Sequence, residues 1–534
     1  MLTVYRASAG SGKTYRLTLE YLKLLFSAKE REAYRHILAV TFTNKATGEM
    51  KRRIIQELFV LAHGVRSSDY FKELASFTGF NESDLQGKAK EILFSLLHDF
   101  SSFSIDTIDR FFQQTTRAFT REIGLQGGYN LEIDNSRVLS EAVDRMLFEL
   151  EDSSSKELLS WLLKFSEEKV ENAESWNIRK DIEALSGEIF KETYKTYSRE
   201  LLALTADKKV LKEYISELAK IRNMFESFLQ ELGEEGQRLL SRFQLQAADF
   251  KGGKNSPFSH FEKWASGIIK EPTATFAKLA GDIAQWYTKT TAPEIRARIE
   301  EAYNGGLNDC IEKVLKCFEL YPRYLSVVET SRYFYTLGIL SDIDRNVRAY
   351  EQEHNLLLLS DTTELLNRVI DGSDTPFVYE KIGTRIDNLM IDEFQDTSNM
   401  QWANFSPLFK DSLDRGKNSL IVGDVKQSIY RWRNSDWKLL HDRLKQSFGA
   451  GQMADNVLDT NWRSSSQVIA FNNVVFQMSS RVLQDILNDH MADAPVSDDE
   501  VKDFKNKIVD AYSDTYQHVS PKNKDYMGHV SIFF

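Results

Sequence analysis

Length, composition and charge set the first limits on function. The 534 residues predict roughly three to four domains. A net charge of −11 excludes a global positive field that would attract nucleic acid, although a groove can be locally basic on an acidic protein. No signal peptide and no apolar run of about 18 residues is present, so we expect a soluble, cytoplasmic protein.

Short apolar runs alternate with helical patterns at both ends of the chain. The runs are LTVY (2–5), HILAVTF (36–42), SFSID (102–106), NLMID (388–392) and SLIVGD (419–424). Such alternation is typical of a parallel sheet with crossover helices. From about residue 120 to 380 the pattern is mainly helical, as in the apolar stripe of 136–150. We therefore predict an α/β fold whose parallel sheet is interrupted by a large, mainly helical insertion.

The segment ASAGSGKT (7–14) follows the first strand and has the pattern of a phosphate-binding loop. Its glycines let successive backbone N–H groups face an anion, and the helix predicted over 15–28 adds its positive N-terminal end. Lys13 would reach the β- and γ-phosphates of a nucleotide, and the Thr14 hydroxyl would bind Mg²⁺. The residues predicted to hold the phosphates are Ala9, Gly10, Ser11, Gly12, Lys13 and Thr14. The alternative is a glycine-rich turn without a ligand.

A second motif, LMIDEFQDTS (389–398), places two carboxylates at the end of an apolar strand. Asp392 is placed to hold Mg²⁺, mostly through water, and Glu393 to orient or deprotonate the attacking water. A buried strand followed by a capping acid is the alternative. Because a phosphate loop and an acidic pair form one metal–phosphate site, their joint presence predicts a nucleotide hydrolase. Kinase signatures and the N-K-x-D motif of small GTPases are missing from the sequence.

The two cysteines, Cys310 and Cys317, lie seven residues apart in a stretch with a helical pattern. They predict reduced thiols on a helix face in a reducing compartment. The nine histidines show no H-x-x-H spacing, and the cysteines show no C-x-x-C spacing. We therefore expect no zinc site and no iron–sulfur cluster.

Six motifs occur in the order that one helicase family shows. They are ASAGSGKT (7–14), TFTNKATGEMKRRI (41–54), DTIDRFF (106–112), LMIDEFQDTS (389–398), VGDVKQSIYRWRNSD (422–436) and LDTNWRSSSQVI (458–469). With them the chain resembles the UvrD/Rep-like superfamily 1 DNA helicases. The large insertion and the run NLLLLSDTTELL (355–366) favour the RecB/AddA branch, the motor subunits of helicase–nucleases.

The resemblance implies a RecA-like P-loop domain, called 1A, in two parts, 1–119 and 383–480, with the insertion 120–382 as domain 1B. A motor of this family holds ATP between two RecA-like domains, and the motifs of the second do not occur between 470 and 534. We therefore expect an N-terminal motor half, with 481–534 as a connector toward a missing second motor domain. Such a half would bind Mg·ATP weakly and hydrolyse it slowly, because part of the charge around the γ-phosphate is absent.

Further roles in ATP binding follow from the resemblance. Gln427 corresponds to the family's γ-phosphate sensor, which links the nucleotide to the DNA groove, and Arg463 to the arginine that contacts the γ-phosphate. Trp462 lies where the family has an adenine-stacking tyrosine, and Tyr15 is predicted to cover the other adenine face. Tyr15 as plain helix surface is the alternative. The family's upstream glutamine motif, which recognises the adenine edge, does not fit before Met1, so base selectivity stays open.

Two loops are predicted to contact DNA, since single strands are held by base stacking on aromatic rings and by cations along the backbone. The residues are Thr41, Phe42, Thr43, Asn44, Tyr430, Trp432 and Arg433. For Phe42 and Trp432 the alternative is an aromatic core cluster. Asp109 replaces the histidine of the family's third motif, and an acid there would repel phosphate unless it is paired.

Together these features predict an ATP-dependent DNA helicase/translocase that uses Mg²⁺ and acts on single strands and duplex ends in recombinational repair. Translocation from 3′ to 5′ and a nuclease partner subunit of the AddB/RecC type are implied by the resemblance alone. Two alternatives stay open. One is a UvrD-like repair helicase without a nuclease partner, and the other is a nucleotide-gated single-strand-binding module without turnover.

Overall fold

In the computed structural model, strands from both ends of the chain form one parallel sheet. The structure describes residues 1–119, 128–151, 156–171, 175–371, 383, 385–449, 451–492 and 497–533. The strands are β1 (Leu2–Ala7), β2 (Ile37–Thr41), β3 (Ile105–Thr107), β4 (Asn130–Glu132), β5 (Leu356–Leu358), β6 (Asn388–Ile391), β7 (Ser419–Gly423), β8 (Met453–Leu458), β9 (Thr460–Asn461) and β10 (His518–Val519). Within the described residues, the central sheet has six parallel strands in the order β3-β2-β6-β7-β1-β8, and β4 with β5 and β9 with β10 form two parallel pairs.

Helices fill the connections between the strands and most of the chain between β4 and β5. They are α1 (Lys13–Ser27), α2 (Asn44–His63), α3 (Phe71–Thr78), α4 (Glu82–His98), α5 (Ile108–Ala118), α6 (Asn135–Phe148), α7 (Lys156–Glu171), α8 (Arg179–Ser186), α9 (Glu192–Ala206), α10 (Lys208–Arg242), α11 (His260–Ala265), α12 (Ala274–Ala277), α13 (Pro293–Ala302), α14 (Asn308–Phe318), α15 (Tyr321–Leu337), α16 (Leu340–Glu353), α17 (Leu359–Asp371), α18 (Asn399–Asp414), α19 (Leu444–Ser447), α20 (Ser466–Ala492), α21 (Asp498–Phe504) and α22 (Lys507–Ala511).

The chain divides into two units. The first comprises residues 1–135, 190–195 and 353–534 and contains the central sheet; the second comprises 136–189 and 196–352 and is helical in its described residues. An aromatic core holds part of the second unit together. Gly236 lets α10 pack closely against the ring of Phe261, because a Cβ at this position would lie 2.2 Å from a ring carbon of Phe261.

Helices cover both faces of the sheet in the first unit. Buried side chains of α1, α2, α3 and α4 form a core on one face, and those of α5, α17 and α18 form a second core on the other. All five residues of β2 and all five of β7 are buried. Strands that are covered on both faces are mainly apolar, as is usual for parallel sheets. The polar loops of this layered α/β arrangement therefore lie at the ends of the strands.

The predicted α/β fold with a helical insertion is confirmed, and each of the five predicted strands overlaps an observed one. The edge strand β8 was not predicted, because its sequence MADNVL lacks an apolar run and none of its residues is fully buried. The domain boundaries at 119/120, 382/383 and 480/481 stay predictions. Among the described residues, no helix combines the length and the apolar run needed to cross a bilayer.

Candidate active site

Loops that follow five strands of the sheet lie at one edge, because the carboxyl ends of parallel strands meet there. These loops begin at Ser8, Phe42, Asp392, Asp424 and Asp459. They contain most of the residues predicted to bind nucleotide or DNA. The strand order thus brings together motifs that are far apart in sequence.

The loop after β1 has the geometry of an anion cradle. Gly10 and Gly12 have φ angles of 78° and 84°, in the left-handed region that glycine adopts without strain, and α1 begins directly afterwards at Lys13. Ser11 is 6% exposed, and among the described residues its hydroxyl has no hydrogen-bond partner. A buried, unpaired hydroxyl beside a helix N-terminus fits a phosphate oxygen, which would accept its hydrogen bond.

Lys13 and Glu393 form an ion pair at this edge, with Nζ and Oε2 2.7 Å apart. Glu393 follows Asp392 after β6 and has a φ of 52°, a left-handed conformation that is uncommon for a residue with a side chain. Backbone strain of this kind clusters at functional sites. The ammonium group of Lys13 is thus held by a carboxylate with which an incoming phosphate would compete.

Asp392 is held by the backbone at the end of its strand. Its N–H donates to the carbonyl of Val40 at 2.9 Å, and its Oδ1 accepts the N–H of Glu393 at 2.9 Å. Desolvation and the neighbouring Glu393 raise the pKa of Asp392, whereas Lys13 lowers it. A divalent cation would favour the ionised carboxylate, so this position is electrostatically suited to Mg²⁺.

Thr14 and Asp392 were predicted to bind Mg²⁺, and they supply a hydroxyl and a carboxylate oxygen. Mg²⁺ prefers oxygen ligands and usually keeps waters and substrate phosphates in its coordination shell, so two protein ligands are compatible with it. The part of the chain that the structure describes contains no cluster of three or more His, Cys, Asp or Glu arranged for a metal ion. The Mg²⁺ ligands stay predictions.

Gln427 and Arg463 line one cavity of about 280 Å³ beside the phosphate loop. Ser8, Ala9 and Gly10 of that loop form another part of the cavity wall. Both predicted γ-phosphate contacts therefore lie at the loop that would hold the phosphates. Their separate roles, as sensor and as charge-stabilising arginine, stay predictions.

Residues much later in the chain hold the phosphate loop in place through hydrogen bonds. The backbone N–H of Trp462 donates to the carbonyl of Gly10 at 2.8 Å. The carbonyl of Ala9 accepts hydrogen bonds from the side-chain amides of Gln517 at 2.9 Å and Asn461 at 3.3 Å. The amide of Asn461 also donates to Gln517 Oε1 at 2.8 Å. Sequence reasoning missed Gln517, because no local pattern connects it to the first strand.

Gln395 is a second site residue that sequence reasoning missed. It is 1% exposed, and its Nε2 donates to Glu393 Oε2 at 2.7 Å. A signal was present in the sequence, since an uncharged polar residue stands two positions after the glutamate in LMIDEFQD (389–396), a stretch that is otherwise apolar and acidic. It could have been considered as a partner that orients the carboxylate.

Tyr15 stacks on Tyr70, with ring centroids 4.4 Å apart, and its hydroxyl donates to Glu73 at 3.0 Å. Trp462 is 49% exposed, and its Cδ1 lies 3.5 Å from the place that a Cβ at Gly12 would occupy. Trp462 is thus adjacent to the phosphate loop, whereas the ring of Tyr15 packs beside α3. An adenine held between Tyr15 and Trp462 stays a prediction.

Three aromatic residues of the predicted DNA surface form a row. The ring centroids of Phe42 and Tyr430 are 4.7 Å apart, and those of Tyr430 and Trp432 are 6.1 Å apart. Trp432 is 67% exposed, which excludes a buried aromatic core for this ring. The row therefore presents an aromatic face on which a base could stack.

The remaining residues of that predicted surface lie at the end of β2, at the start of α2 or near Trp432. Thr43 caps α2 by accepting a backbone N–H of its first turn at 3.1 Å, and Asn44 is the first helical residue. Thr41 is 1% exposed and shares a 2.7 Å hydrogen bond with the hydroxyl of Thr47. The side chain of Arg433 lies outside the described residues. DNA contacts by these residues stay predictions.

A phosphate loop and an acidic strand end at one edge of a parallel sheet define the P-loop class of nucleotide-binding proteins. The family model described as the UvrD/REP helicase N-terminal domain matches residues 2–448. The chain therefore belongs to the UvrD/REP helicase family.

Curated relatives match most of the chain. An ATP-dependent helicase/nuclease subunit from Streptococcus sanguinis is 25% identical over 514 residues, which cover 88% of this chain and 37% of that protein. The RecBCD enzyme subunit RecB of Haemophilus influenzae is 22% identical over 513 residues, which cover 89% of this chain and 40% of that protein. The chain thus spans about two fifths of the length of these relatives.

Proposed function

We propose that the chain is part of an ATP-dependent DNA helicase/translocase and carries its hydrolytic site. The contact that carries this proposal is the 2.7 Å ion pair between Lys13 and Glu393, which joins two motifs 380 positions apart. It unites a phosphate-binding lysine with a carboxylate suited to accept a proton. Membership of the UvrD/REP helicase family supports the same function.

In the proposed reaction, the backbone N–H groups of the phosphate loop and Lys13 bind the β- and γ-phosphates of ATP. When Lys13 moves from Glu393 to phosphate, the Glu393 carboxylate is able to accept the proton of the attacking water. The water oxygen then bonds to the γ-phosphorus while the bond from that phosphorus to the bridging oxygen breaks, and ADP leaves with that oxygen. Arg463 and Gln427 contact the γ-phosphate from the cavity beside the loop. Thr14 and Asp392 would hold Mg²⁺, which would supply positive charge beside the phosphates when bound.

The DNA-binding part of the proposal rests on the aromatic row of Phe42, Tyr430 and Trp432. Base stacking on an aromatic ring contributes about 1–3 kcal/mol per base and tolerates any sequence, as a translocating protein requires. Because the loop of Tyr430 and Trp432 follows that of Gln427, the nucleotide and DNA contacts share one segment. Movement from 3′ to 5′ follows from the family resemblance.

The biological setting and the domains are proposed from the relatives. One relative is named as a helicase/nuclease subunit and the other as a RecBCD subunit. These names support a subunit of a multi-subunit helicase–nuclease. Action on DNA ends in recombinational repair, a cytoplasmic location and a nuclease partner of AddB/RecC type are proposed from the family resemblance. Residues 1–119 and 383–480 would form domain 1A and 120–382 domain 1B. Residues 481–534 would connect to a second motor domain.

Steady-state ATP hydrolysis, measured with Mg²⁺ and with or without oligo-dT, tests the proposal. We expect slow hydrolysis by this chain, stimulation by oligo-dT in a chain extended to the length of the relatives, and loss of hydrolysis in Lys13→Ala. Lys278→Ala, in the helical unit, is the matched control and should behave like the unchanged chain. Nucleotide binding without any hydrolysis, in this chain and in one extended to the length of the relatives, would support the binding-module alternative instead.

A further inference from the structure

Both the nitrogen and the oxygen of the buried Gln395 side-chain amide form hydrogen bonds. Its Nε2 donates to Glu393 Oε2 at 2.7 Å, and its Oε1 accepts the N–H of Asp424 at 2.9 Å. The carboxylate of Asp424 in turn accepts Nε2 of Gln427 at 2.7 Å. A continuous set of hydrogen bonds therefore joins the proposed proton acceptor to the proposed γ-phosphate sensor.

The same residue is bonded to the segment of the aromatic row. Ser428 Oγ donates to the backbone carbonyl of Gln395 at 3.2 Å, and Tyr430 and Trp432 follow Ser428 closely in the chain. Displacement of this segment would pull on the backbone of Gln395, only two residues from Glu393. Gln395 is thus connected to the DNA side and to the nucleotide side of the edge.

Packing leaves the amide little freedom. A Cβ at Gly423 would lie 2.7 Å from Gln395 Oε1 and 2.9 Å from Leu440, so the end of β7 presses directly against the amide. With Gln395 1% exposed, rotation of its side chain would leave buried polar groups unpaired. Because an unpaired buried polar group destabilises the fold, a shift of the neighbouring segments moves the amide of Gln395 rather than rotating it.

We propose that Gln395 is a positioning residue that couples DNA binding at residues 428–432 to the placement of Glu393. Both Lys13 and Gln395 donate to the same Oε2 of Glu393. When Lys13 moves to phosphate, the amide of Gln395 continues to orient the carboxylate, and its position depends on the DNA segment. The proposal rests on the function proposed above. Coupling of this kind is reciprocal, so nucleotide must change DNA affinity as well.

The test measures the Kd of fluorescein-labelled oligo-dT by anisotropy, with and without Mg·AMP-PNP. We expect the nucleotide to change the Kd about fivefold or more in the unchanged chain. Gln395→Met keeps the side-chain volume but removes both hydrogen bonds of the amide. In this variant the ratio of the two Kd values, with and without nucleotide, should fall to about one, while the Kd without nucleotide stays within about twofold of that of the unchanged chain. Gln484→Ala, a buried glutamine of α20, is the matched control and should keep the ratio.

The outcomes separate this inference from the function it rests on. An unchanged ratio in Gln395→Met, or DNA binding by the unchanged chain without any nucleotide effect, overturns the coupling but leaves the helicase proposal standing. No oligo-dT binding by the unchanged chain overturns both. If thermal melting shows that Gln395→Met does not fold, Ser428→Ala, which removes only the bond to the Gln395 carbonyl, should lower the ratio; a retained ratio in that variant also overturns the coupling.

Discussion

The side-chain amide of Gln517 donates a 2.9 Å hydrogen bond to the carbonyl of Ala9, 508 positions away. Asn461 donates to the same carbonyl and to Gln517, so the first residues of the phosphate loop are held by two amides from later in the chain. Glycine-containing loops are conformationally free unless their surroundings restrict them. These bonds therefore preorganise the loop before a phosphate arrives.

Gln517→Ala should weaken nucleotide binding by about two- to tenfold, the loss expected when one hydrogen bond of about 0.5–1.5 kcal/mol no longer orders the loop. Titration with a fluorescent ADP analogue measures this Kd. Gln467→Ala removes an exposed glutamine from α20 and should leave the Kd unchanged. Equal affinities of the Gln517 and Gln467 variants would show that the loop is ordered without Gln517.

Glu393→Gln should separate nucleotide binding from hydrolysis. Loss of the proposed proton acceptor lowers kcat by about 10²- to 10⁴-fold. The same change removes the anion that pairs with Lys13, so Lys13 is more available to phosphate and nucleotide affinity should rise. Glu301→Gln, in the helical unit, controls for loss of one acidic charge. An equal drop in affinity and kcat would argue that Glu393 is needed for folding of the site rather than for proton transfer.

The parts of the structure that could be predicted are those where a local hydrophobic pattern is followed directly by residues with a recognisable chemical role. The strand before Asp392 is apolar because both of its faces are covered, and the acid must stand where it ends. The same reasoning located the phosphate loop after β1. Parallel topology then brings Lys13 to Glu393, so the central contact follows from two local motifs.

Gln517 was missed because its role depends on tertiary contacts alone. Gln517 meets Ala9 through packing near the end of the described chain, and nothing in its neighbourhood indicates a phosphate loop. The contact between the rings of Tyr15 and Tyr70 likewise depends on how α3 packs, and the assignment of Tyr15 to adenine stays a prediction. Strand β8 is polar because it lies at a sheet edge, so its hydrophobic signal is weak.

Asp396→Asn should change how stability depends on pH. Desolvation, followed by the charge of Glu393, raises the pKa of Asp396 from 3.8 to about 7. Because the folded state holds a proton that the unfolded state releases, the free energy of unfolding falls as the pH rises from about 4 to about 7. Asparagine is neutral throughout this range and avoids that loss. We expect the Tm of Asp396→Asn to exceed that of the unchanged chain by about 2–4 °C at pH 8.

The difference in Tm should disappear as the pH is lowered toward 4, where Asp396 is protonated in both states. Calorimetry at several pH values between 4 and 8 measures it. Asp489→Asn, at an exposed position of α20, is the matched control and should show no pH-dependent difference. A difference in Tm that is the same at every pH would mean that the Asp396 carboxyl does not titrate in this range.

Trp432→Ala should weaken single-strand binding without weakening the fold. The ring is 67% exposed, so its removal takes little apolar area out of any core. If a base stacks on it, the loss of about 1–3 kcal/mol raises the Kd for oligo-dT by about five- to 150-fold. Anisotropy titrations measure the Kd, and Trp176→Ala removes a tryptophan that is 75% exposed in the helical unit and should leave it unchanged. Equal Kd values for the two variants, at equal Tm, would place the DNA elsewhere than on the aromatic row of Phe42, Tyr430 and Trp432.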